Sequence, residues 1–227
     1  MTEAHNARQP KLRVAMATKF PYSESDSYSG LFQVSQNLSN ALAQRSDIEL
    51  FVVSGSDQVE QIEHRQINNY QVTFFPYGSD LSYYGSFYLF ASNAMKRELL
   101  QIQPDIVHCQ AVADTALGSL LTHIPMVATI HGIAAAELAT ARSLRVKLAY
   151  RVQALVESWY VPRFKHVISC SPYVTEFVQR KNRQAKLYEI SNPMDPIFFQ
   201  TSLAQTNPQP YTILLLGAIS YRKGHDL

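Results

Sequence analysis

Residues 104–131, PDIVHCQAVADTALGSLLTHIPMVATIH, decide the fold class of this chain. Two short apolar runs, at residues 105–109 and 126–131, enclose a segment at residues 114–122 whose apolar residues recur with helical spacing. This pattern predicts a strand, a helix and a second strand. Because a helix joins the two strands, we expect them to run parallel in one sheet, as a βαβ unit.

The same alternation extends in both directions along the chain. Further strands are predicted at residues 12–17, 48–53, 70–75, 166–170 and 186–190, and further helices directly after Gly30 and at residues 84–102, 134–160 and 172–181. Strands that alternate with helices predict an α/β fold, here a Rossmann-like, doubly wound parallel sheet covered on both faces. Ligands of such sheets bind beyond the carboxyl ends of the strands. One cleft is therefore expected, lined by the loops that begin at Thr18, Cys109, His131 and Cys170.

The chain changes character after Ile190. Residues 191–212 contain four prolines and little periodicity, which is typical of a linker. A new strand follows at residues 212–216, and one strand cannot bury a core of its own. We therefore predict a domain at residues 11–192, a linker at 193–211 and, at 212–227, the first strand and turn of a truncated second domain.

Composition argues against several classes of protein. The formal net charge is only +2 and no block of Lys or Arg is present, so nucleic acid is not an expected partner. No apolar run approaches the ~18 residues of a membrane-spanning helix. Residues 1–10 are polar, unlike a secretory signal. These features predict a cytoplasmic protein, in which Cys109 and Cys170 are small buried thiols and not a disulfide.

Two residues at the predicted cleft are candidates for binding or catalysis. Gly30 precedes a helix, where free backbone amides favour an anion such as phosphate and a glycine lets that anion approach. A plain capping turn is the alternative interpretation. His131 ends an apolar strand, so its imidazole is placed to hydrogen-bond a substrate hydroxyl or a developing charge. A purely structural histidine is the alternative there.

Several motifs that define other enzymes are missing from the sequence. The first loop lacks G-x-G-x-x-G, which argues against a dehydrogenase, and no G-x-S-x-G suggests a hydrolase. No H-E-x-x-H or C-x-x-C pair is present, so no metal site is expected.

Two segments allow a second interpretation. Residues 74–90 contain eight aromatic residues that suit either core packing or the face of a sugar. The predicted helix at 134–160 and the residues after it carry the basic side chains Arg142, Arg145, Lys147, Arg151, Arg163 and Lys165, which would suit weak peripheral contact with anionic lipid. The apolar residues Leu144, Leu148, Val152, Leu155 and Trp159 fall within about 80° of one another at helical spacing. We expect this stripe to be buried and the basic residues to form a solvated surface.

Six segments in order resemble glycosyltransferase family 4. They are residues 11–45, Pro104-Asp105-Ile106-Val107-His108, Thr129-Ile130-His131-Gly132, residues 167–174, Ile190-Ser191-Asn192-Pro193-Met194-Asp195 with Phe198, and residues 213–217 with Arg222-Lys223-Gly224. The resemblance covers nearly the whole chain from Lys11 onward.

The resemblance implies a GT-B fold, in which two Rossmann-like domains face each other across a cleft. It implies transfer of a sugar from a nucleotide-sugar donor to a glycan, lipid or other acceptor, with retention of anomeric configuration and without metal or cofactor. Gly30 would approach the donor diphosphate, and His131 would face the reacting sugar or the acceptor. Lys223, assisted by Arg222, would grip the diphosphate.

The sequence departs from the family pattern in the predicted second domain. Ala218 follows Gly217 where the family usually has Arg, so one phosphate-binding cation is missing or comes from elsewhere. The family's paired glutamates would lie beyond Leu227. Two alternatives therefore stay open: a non-catalytic binding module or degenerate transferase half, and a nucleotide-sugar epimerase on the same fold.

Overall fold

The computed structural model describes residues 10–23, 26, 30–77, 86–110 and 113–200, and the side chains of all of these except residues 86–88. The strands are β1 (Leu12–Ala17), β2 (Ile48–Ser56), β3 (Glu63–Ile67), β4 (Tyr70–Pro76), β5 (Ile106–Gln110), β6 (Met126–Ile130), β7 (His166–Ser169) and β8 (Lys186–Glu189). The helices are α1 (Gly30–Ala43), α2 (Ser86–Ile102), α3 (Ala113–Leu120), α4 (Ala134–Thr140), α5 (Leu144–Tyr160), α6 (Pro172–Lys181) and α7 (Ile197–Gln200), with a short 3-10 turn at Val161–Arg163.

The eight strands form one sheet in the order β3-β4-β2-β1-β5-β6-β7-β8. Every neighbouring pair is parallel except β3 and β4, which are antiparallel. The chain builds outward from β1 in one direction through β2 and β4, and then in the other direction from β5 to β8. The order therefore reverses between β1 and β5, which is the switch point of a doubly wound sheet.

Apolar residues on both sides of the strands explain why the sheet is sandwiched between helices. On one face, Val14 and Met16 of β1 pack in a cluster that includes Leu38 and Leu42 of α1. On the other face, Ala15, Ala17 and Val107 pack beneath Ala91, Met95 and Leu99 of α2, and a neighbouring cluster joins β5, β6 and β7 to α3, α5 and α6. The predicted fold class is confirmed, and each predicted strand within the described residues is present.

Strand β3 was not expected from the sequence. Its residues are polar, EHRQI, and it pairs with β4 through a turn at Asn68 and Asn69. Asn68 has a φ of 49°, a left-handed conformation that asparagine tolerates better than most residues and that two-residue hairpins require. The sequence feature that indicates this hairpin is therefore the Asn68-Asn69 pair at its turn.

The predicted helix at 134–160 is wrong in one respect, because the structure breaks it into α4 and α5. Ser143 adopts an extended conformation and its side chain accepts a hydrogen bond from the backbone N–H of Val146. A serine in this role caps a new helix and interrupts the preceding one. The periodic pattern continues across the break, which is why periodicity alone did not reveal it.

The prediction that the apolar stripe of this helix is buried is also wrong. Four of its residues are largely exposed: Leu144 (85%), Leu148 (60%), Leu155 (73%) and Trp159 (45%). The side of α5 that packs inward carries Glu157 and Tyr160 instead, which are 4% and 2% exposed. Tyr160 belongs to the cluster that α3 and α6 also join, so this opposite side of α5 faces the sheet.

Candidate functional site

The candidate site lies at the carboxyl edge of the sheet around the switch point. The chain leaves β1 at Thr18, β5 after Gln110, β6 at His131 and β7 at Cys170. Because all these strands are parallel, the loops that follow them emerge at the same edge. The parallel direction of the strands therefore places these loops at one edge of the sheet, as expected from the sequence.

Helix α1 is fixed directly to the end of β1. Thr18 Oγ1 lies 2.6 Å from Ser35 Oγ, and both residues are fully buried. This contact holds the first turns of α1, which begins at Gly30, above the switch point. A β-carbon added to Gly30 would meet no atom of the described residues within 4 Å, so these residues leave the space next to it open.

A chain of hydrogen bonds connects the ends of β5 and β6 on the face of the sheet that α1 covers. His131 Nε2 is bonded to Gln110 Oε1, and Gln110 Nε2 lies 3.2 Å from His108 Nε2. His108 Nε2 is also 2.8 Å from Thr129 Oγ1. Gln110 is 1% exposed, so its amide is held in place by the sheet and orients the His131 ring.

Both histidines favour the neutral form. Burial lowers the pKa of His108 to about 4, and the neighbouring His131 lowers it further. Burial also lowers the pKa of His131, while a hydrogen bond with the Asn192 side chain opposes this change. At neutral pH His131 therefore presents an uncharged imidazole, a hydrogen-bonding group and not a cation.

The contact with Asn192 brings a second segment to the site. Asn192 follows β8 and belongs to the predicted domain junction, and it lies 61 residues after His131 in the sequence. The junction segment that follows the edge strand β8 therefore reaches the histidine that follows β6, two strands away. We had not predicted this contact, because sequence separation hides it.

Lys19 and Asp114 form an ion pair on the opposite side of β1. Lys19 Nζ lies 2.9 Å from Asp114 Oδ2 and 4.4 Å from the centre of the Tyr77 ring. The side chains of Lys19 and Asp114 are mostly buried, with 16% and 3% exposed. The pair ties the loop after β1 to the first turn of α3 and so stiffens the switch point.

Glu157 of α5 supports the loop that carries His131. Its carboxylate oxygens accept the backbone N–H of Ala134 at 3.1 and 3.4 Å. The same carboxylate interacts with the N–H of Ala135. These amides open α4, only three residues after His131, so Glu157 fixes the course of the His131-Gly132 segment.

The structure describes two of the four predicted site residues. Gly30 and His131 both border the switch-point edge; His131 follows β6, two strand spacings or roughly 10 Å from β1. Arg222 and Lys223 lie outside the described residues, as does the predicted start of a second domain. The aromatic residues Phe74 and Phe75 are fully buried, as core packing requires, whereas Phe90 is 64% exposed.

Sequence reasoning missed Gln110, Asn192 and Glu157. Gln110 stands at the end of a predicted strand, the same signal that identified His131, so this residue was open to prediction. Glu157 had no predicted role. Its role depends on Ala134, 23 residues earlier, and no local pattern carries that information.

Other chemistry is not indicated in the part of the chain that the structure describes. No group of three or more His, Cys, Asp or Glu side chains there is arranged to hold a metal ion. Cys109 is a buried free thiol, and Cys170 is a half-buried one. A groove of about 750 Å³ lies elsewhere on the sheet, between Met126, Arg163 and Tyr188, and shares no residue with the His131 cluster.

Known proteins resemble the chain at the level of family and fold. The sequence model of Glycosyltransferase Family 4 matches residues 28–197. A sucrose-phosphate synthase structure from Thermosynechococcus elongatus superposes with a TM-score of 0.50 and 12% identity, over 83% of this chain and 94% of that chain. A UDP-N-acetylglucosamine 2-epimerase structure superposes with a TM-score of 0.55 and 11% identity, over 87% of this chain.

The lengths of the compared chains differ. This chain spans 53% of the epimerase and 41–45% of several glycosyltransferase and epimerase structures that superpose less well. No curated protein sequence matches it significantly. At these identities the superpositions establish the fold alone, which is the Rossmann-like half of a GT-B protein.

Proposed function

This chain belongs to glycosyltransferase family 4, and we propose that the protein transfers a sugar from a nucleotide-sugar to a glycan, lipid or other acceptor with retention of anomeric configuration. The family match over residues 28–197 carries this proposal. The arrangement of Gly30 and His131 around the switch point supports it, because a donor diphosphate and the sugar attached to it would occupy the edge between them.

Each candidate residue has a separate role in the proposal. The open space beside Gly30 would admit the diphosphate to the amides of the first turn of α1, whose dipole favours an anion. Lys223 and Arg222 would add positive charge as the diphosphate leaves. The neutral His131, oriented by Gln110, would hydrogen-bond the reacting sugar or the acceptor hydroxyl.

We also propose that the two domains bind different substrates. Residues 11–192 bind the acceptor, residues 193–211 form a linker, and residues 212–227 are the first part of the donor-binding domain. The proposal also places the protein in the cytoplasm. The free thiols of Cys109 and Cys170 fit a reducing compartment. No helix among the described residues has both the length and the apolar character that a membrane span needs.

The test is an assay of the protein expressed from its complete gene, using labelled nucleotide-sugars. We expect transfer of the labelled sugar to the acceptor. The new glycosidic bond should have the same anomeric configuration, α or β, as the bond to the nucleotide in the donor. The variant His131→Ala should lower kcat/KM by about 10²-fold or more. His64→Ala is the matched control, since His64 is an exposed histidine on β3 at the far edge of the sheet.

Two results would contradict the proposal. Absence of both transfer and hydrolysis with any common donor would leave the binding-module alternative. Conversion of the donor into its epimer without transfer would identify an epimerase, and product analysis by NMR separates that outcome from transfer.

A further inference from the structure

The outward face of α5 combines exposed apolar side chains with positive charge. At 100° per residue, Leu144, Leu148, Leu155 and Trp159 fall within about 60° of the helix circumference. All four are more than two-fifths exposed, and Leu144 and Leu155 are the most exposed of them, at 85% and 73%. Isolated exposed apolar residues are ordinary, but an aligned stripe of four on one helix marks an interaction surface.

Basic residues border this stripe on both sides. Arg151 follows the stripe on one side and Arg145 on the other, and both are exposed. Lys147 lies further round on the Arg151 side. Within α5, all of whose residues the structure describes, the single acid is Glu157, and it points to the interior. The outward face of this helix is therefore apolar and cationic, with no compensating negative charge of its own.

The stripe ends in an aromatic and a guanidinium group. The Arg163 side chain lies over the Trp159 ring with its central carbon 3.8 Å from the ring centre, and it also donates a hydrogen bond to the Trp159 carbonyl oxygen. Tryptophan is enriched where an apolar layer meets a polar one, because its ring is apolar and its N–H is a donor. Arginine beside it supplies a partner for phosphate.

We propose that the outward face of α5 docks the protein onto the surface of an anionic lipid bilayer. The helix is 17 residues long, roughly 25 Å, and would lie parallel to the surface with its leucines in the boundary between headgroups and acyl chains. Arg145, Arg151 and Lys147 would contact lipid phosphates. Charge complementarity favours this partner, since basic side chains on both borders match a continuous anionic plane.

The position of α5 connects this surface to the candidate site. The helix lies in the crossover between the parallel strands β6 and β7. The hydrogen bond from Ala134 to Glu157 shows that the last turns of α5 lie nearest to the His131 loop, so Leu155 and Trp159 are the members of the stripe closer to it. Docking would hold the cleft beside the membrane, but the proposal concerns lipid binding and does not depend on glycosyl transfer.

Trp159 provides the test, because it is the only tryptophan of the 227-residue chain. Vesicles of phosphatidylcholine alone and vesicles that also contain phosphatidylglycerol are added to the protein. We expect a blue shift of Trp159 emission with the anionic vesicles, and quenching when their acyl chains carry bromine. Added salt should weaken the binding, since it screens the basic side chains.

Variants separate the two components of the surface. Leu148→Ser with Leu155→Ser should lower the vesicle partition by about 10-fold or more, because it removes two apolar groups from the interface. Arg145→Ala with Arg151→Ala should lower it by about fivefold per charge and only for anionic vesicles. Leu100→Ser is the matched control, since Leu100 is a leucine of α2 that is 45% exposed.

The proposal fails if the protein binds neither kind of vesicle in sedimentation and fluorescence measurements. It also fails if binding survives the double leucine substitution, or if both kinds of vesicle bind equally. A dimer that is lost in the Leu148→Ser, Leu155→Ser variant, in protein that does not bind vesicles, would assign the stripe to a second copy of the chain.

Discussion

Glu157 holds the loop behind His131 with a carboxylate that is almost cut off from water. Burial raises the pKa of Glu157 to about 7 from an ordinary value of 4.5, and the backbone amides of Ala134 and Ala135 and the charge of Lys181 oppose part of this rise. A group whose pKa is raised on folding stabilises the protein fully below its unfolded pKa. That contribution is lost as the pH rises through the folded pKa.

Glu157→Gln should therefore change how stability depends on pH. In the native protein this group makes the free energy of unfolding fall by about 3 kcal/mol between pH 4.5 and pH 8. Glutamine keeps an oxygen that accepts the Ala134 N–H but does not ionise. We expect the variant to lose this part of the pH dependence in urea unfolding followed by circular dichroism, and to match or exceed the native protein at pH 8.

Glu176→Gln serves as the control, because Glu176 is an exposed glutamate on α6 paired with Arg180. Its unfolding is measured over the same pH range, so that the effect of exchanging a glutamate for a glutamine at the surface is known. Native and Glu157→Gln proteins with parallel stability curves from pH 4.5 to pH 8 would show that Glu157 is not the titrating group.

Individual residues differ in how far the sequence identifies them. The positions of His131 and Gly30 at the edge of the sheet were predictable because each adjoins a strand or helix end, and strand ends meet at one edge of a parallel sheet. The bonds from His131 to Gln110 and from Glu157 to Ala134 join residues 21 and 23 positions apart. Such pairs are set by strand register and helix packing, which a single sequence does not specify.

At the scale of elements, the contact between α2 and α3 depends on the absence of a side chain. A β-carbon on Gly118 would lie 2.7 Å from Met95 Cβ and 2.8 Å from the Ser92 carbonyl oxygen. Met95 is fully buried and the carbonyl belongs to helix backbone, so neither neighbour has room to move. The two helices approach this closely only because residue 118 is glycine.

Gly118→Ala should accordingly lower the free energy of unfolding by about 1–3 kcal/mol through overpacking. Thermal and urea unfolding measure the change. Gly132→Ala is the matched control, because a β-carbon there meets no atom within 4 Å in the part of the chain that the structure describes, and it should leave stability nearly unchanged. Equal stability of the two variants would mean that α2 and α3 separate at little cost.

Helix α5 shows what an apolar pattern leaves undetermined. The helical spacing of the sequence correctly predicts that Leu144, Leu148, Leu155 and Trp159 lie on one side of the helix. However, Val156 and Tyr160 form a second apolar side, and the sheet packs against that one. A helix with two apolar sides has two candidate inward faces, and only the tertiary contacts select between them.

At the scale of the whole molecule, the described residues form one doubly wound sheet with a single switch point. The strand order reverses between β1 and β5, and Gly30 and His131 border that point. The fold class followed from the alternation of strands and helices. The edge strand β3 did not, because its polar sequence lacks the apolar run by which the buried strands were recognised.

We expect the 227-residue chain by itself to show no transfer or hydrolysis of a nucleotide-sugar. It spans 53% of the epimerase with which it superposes, and the proposal assigns donor binding to a second domain. Assay of the purified chain with labelled donors, after circular dichroism has shown that it is folded, measures this directly. Turnover would mean that residues 1–227 bind both substrates, and the proposed division between domains would be wrong.

The antiparallel strand β3 also affects whether the protein associates with other molecules through the edge of its sheet at high concentration. Glu63 and Arg65 pair with each other, and Arg65 stacks over the Tyr22 ring, with its central carbon 3.7 Å from the ring centre. Charges fixed in this way on a border strand oppose the addition of a foreign strand, because such an addition would strip water from them. At this edge the sheet therefore ends in charged side chains, which disfavour pairing with a strand of a neighbouring molecule and so disfavour polymerisation.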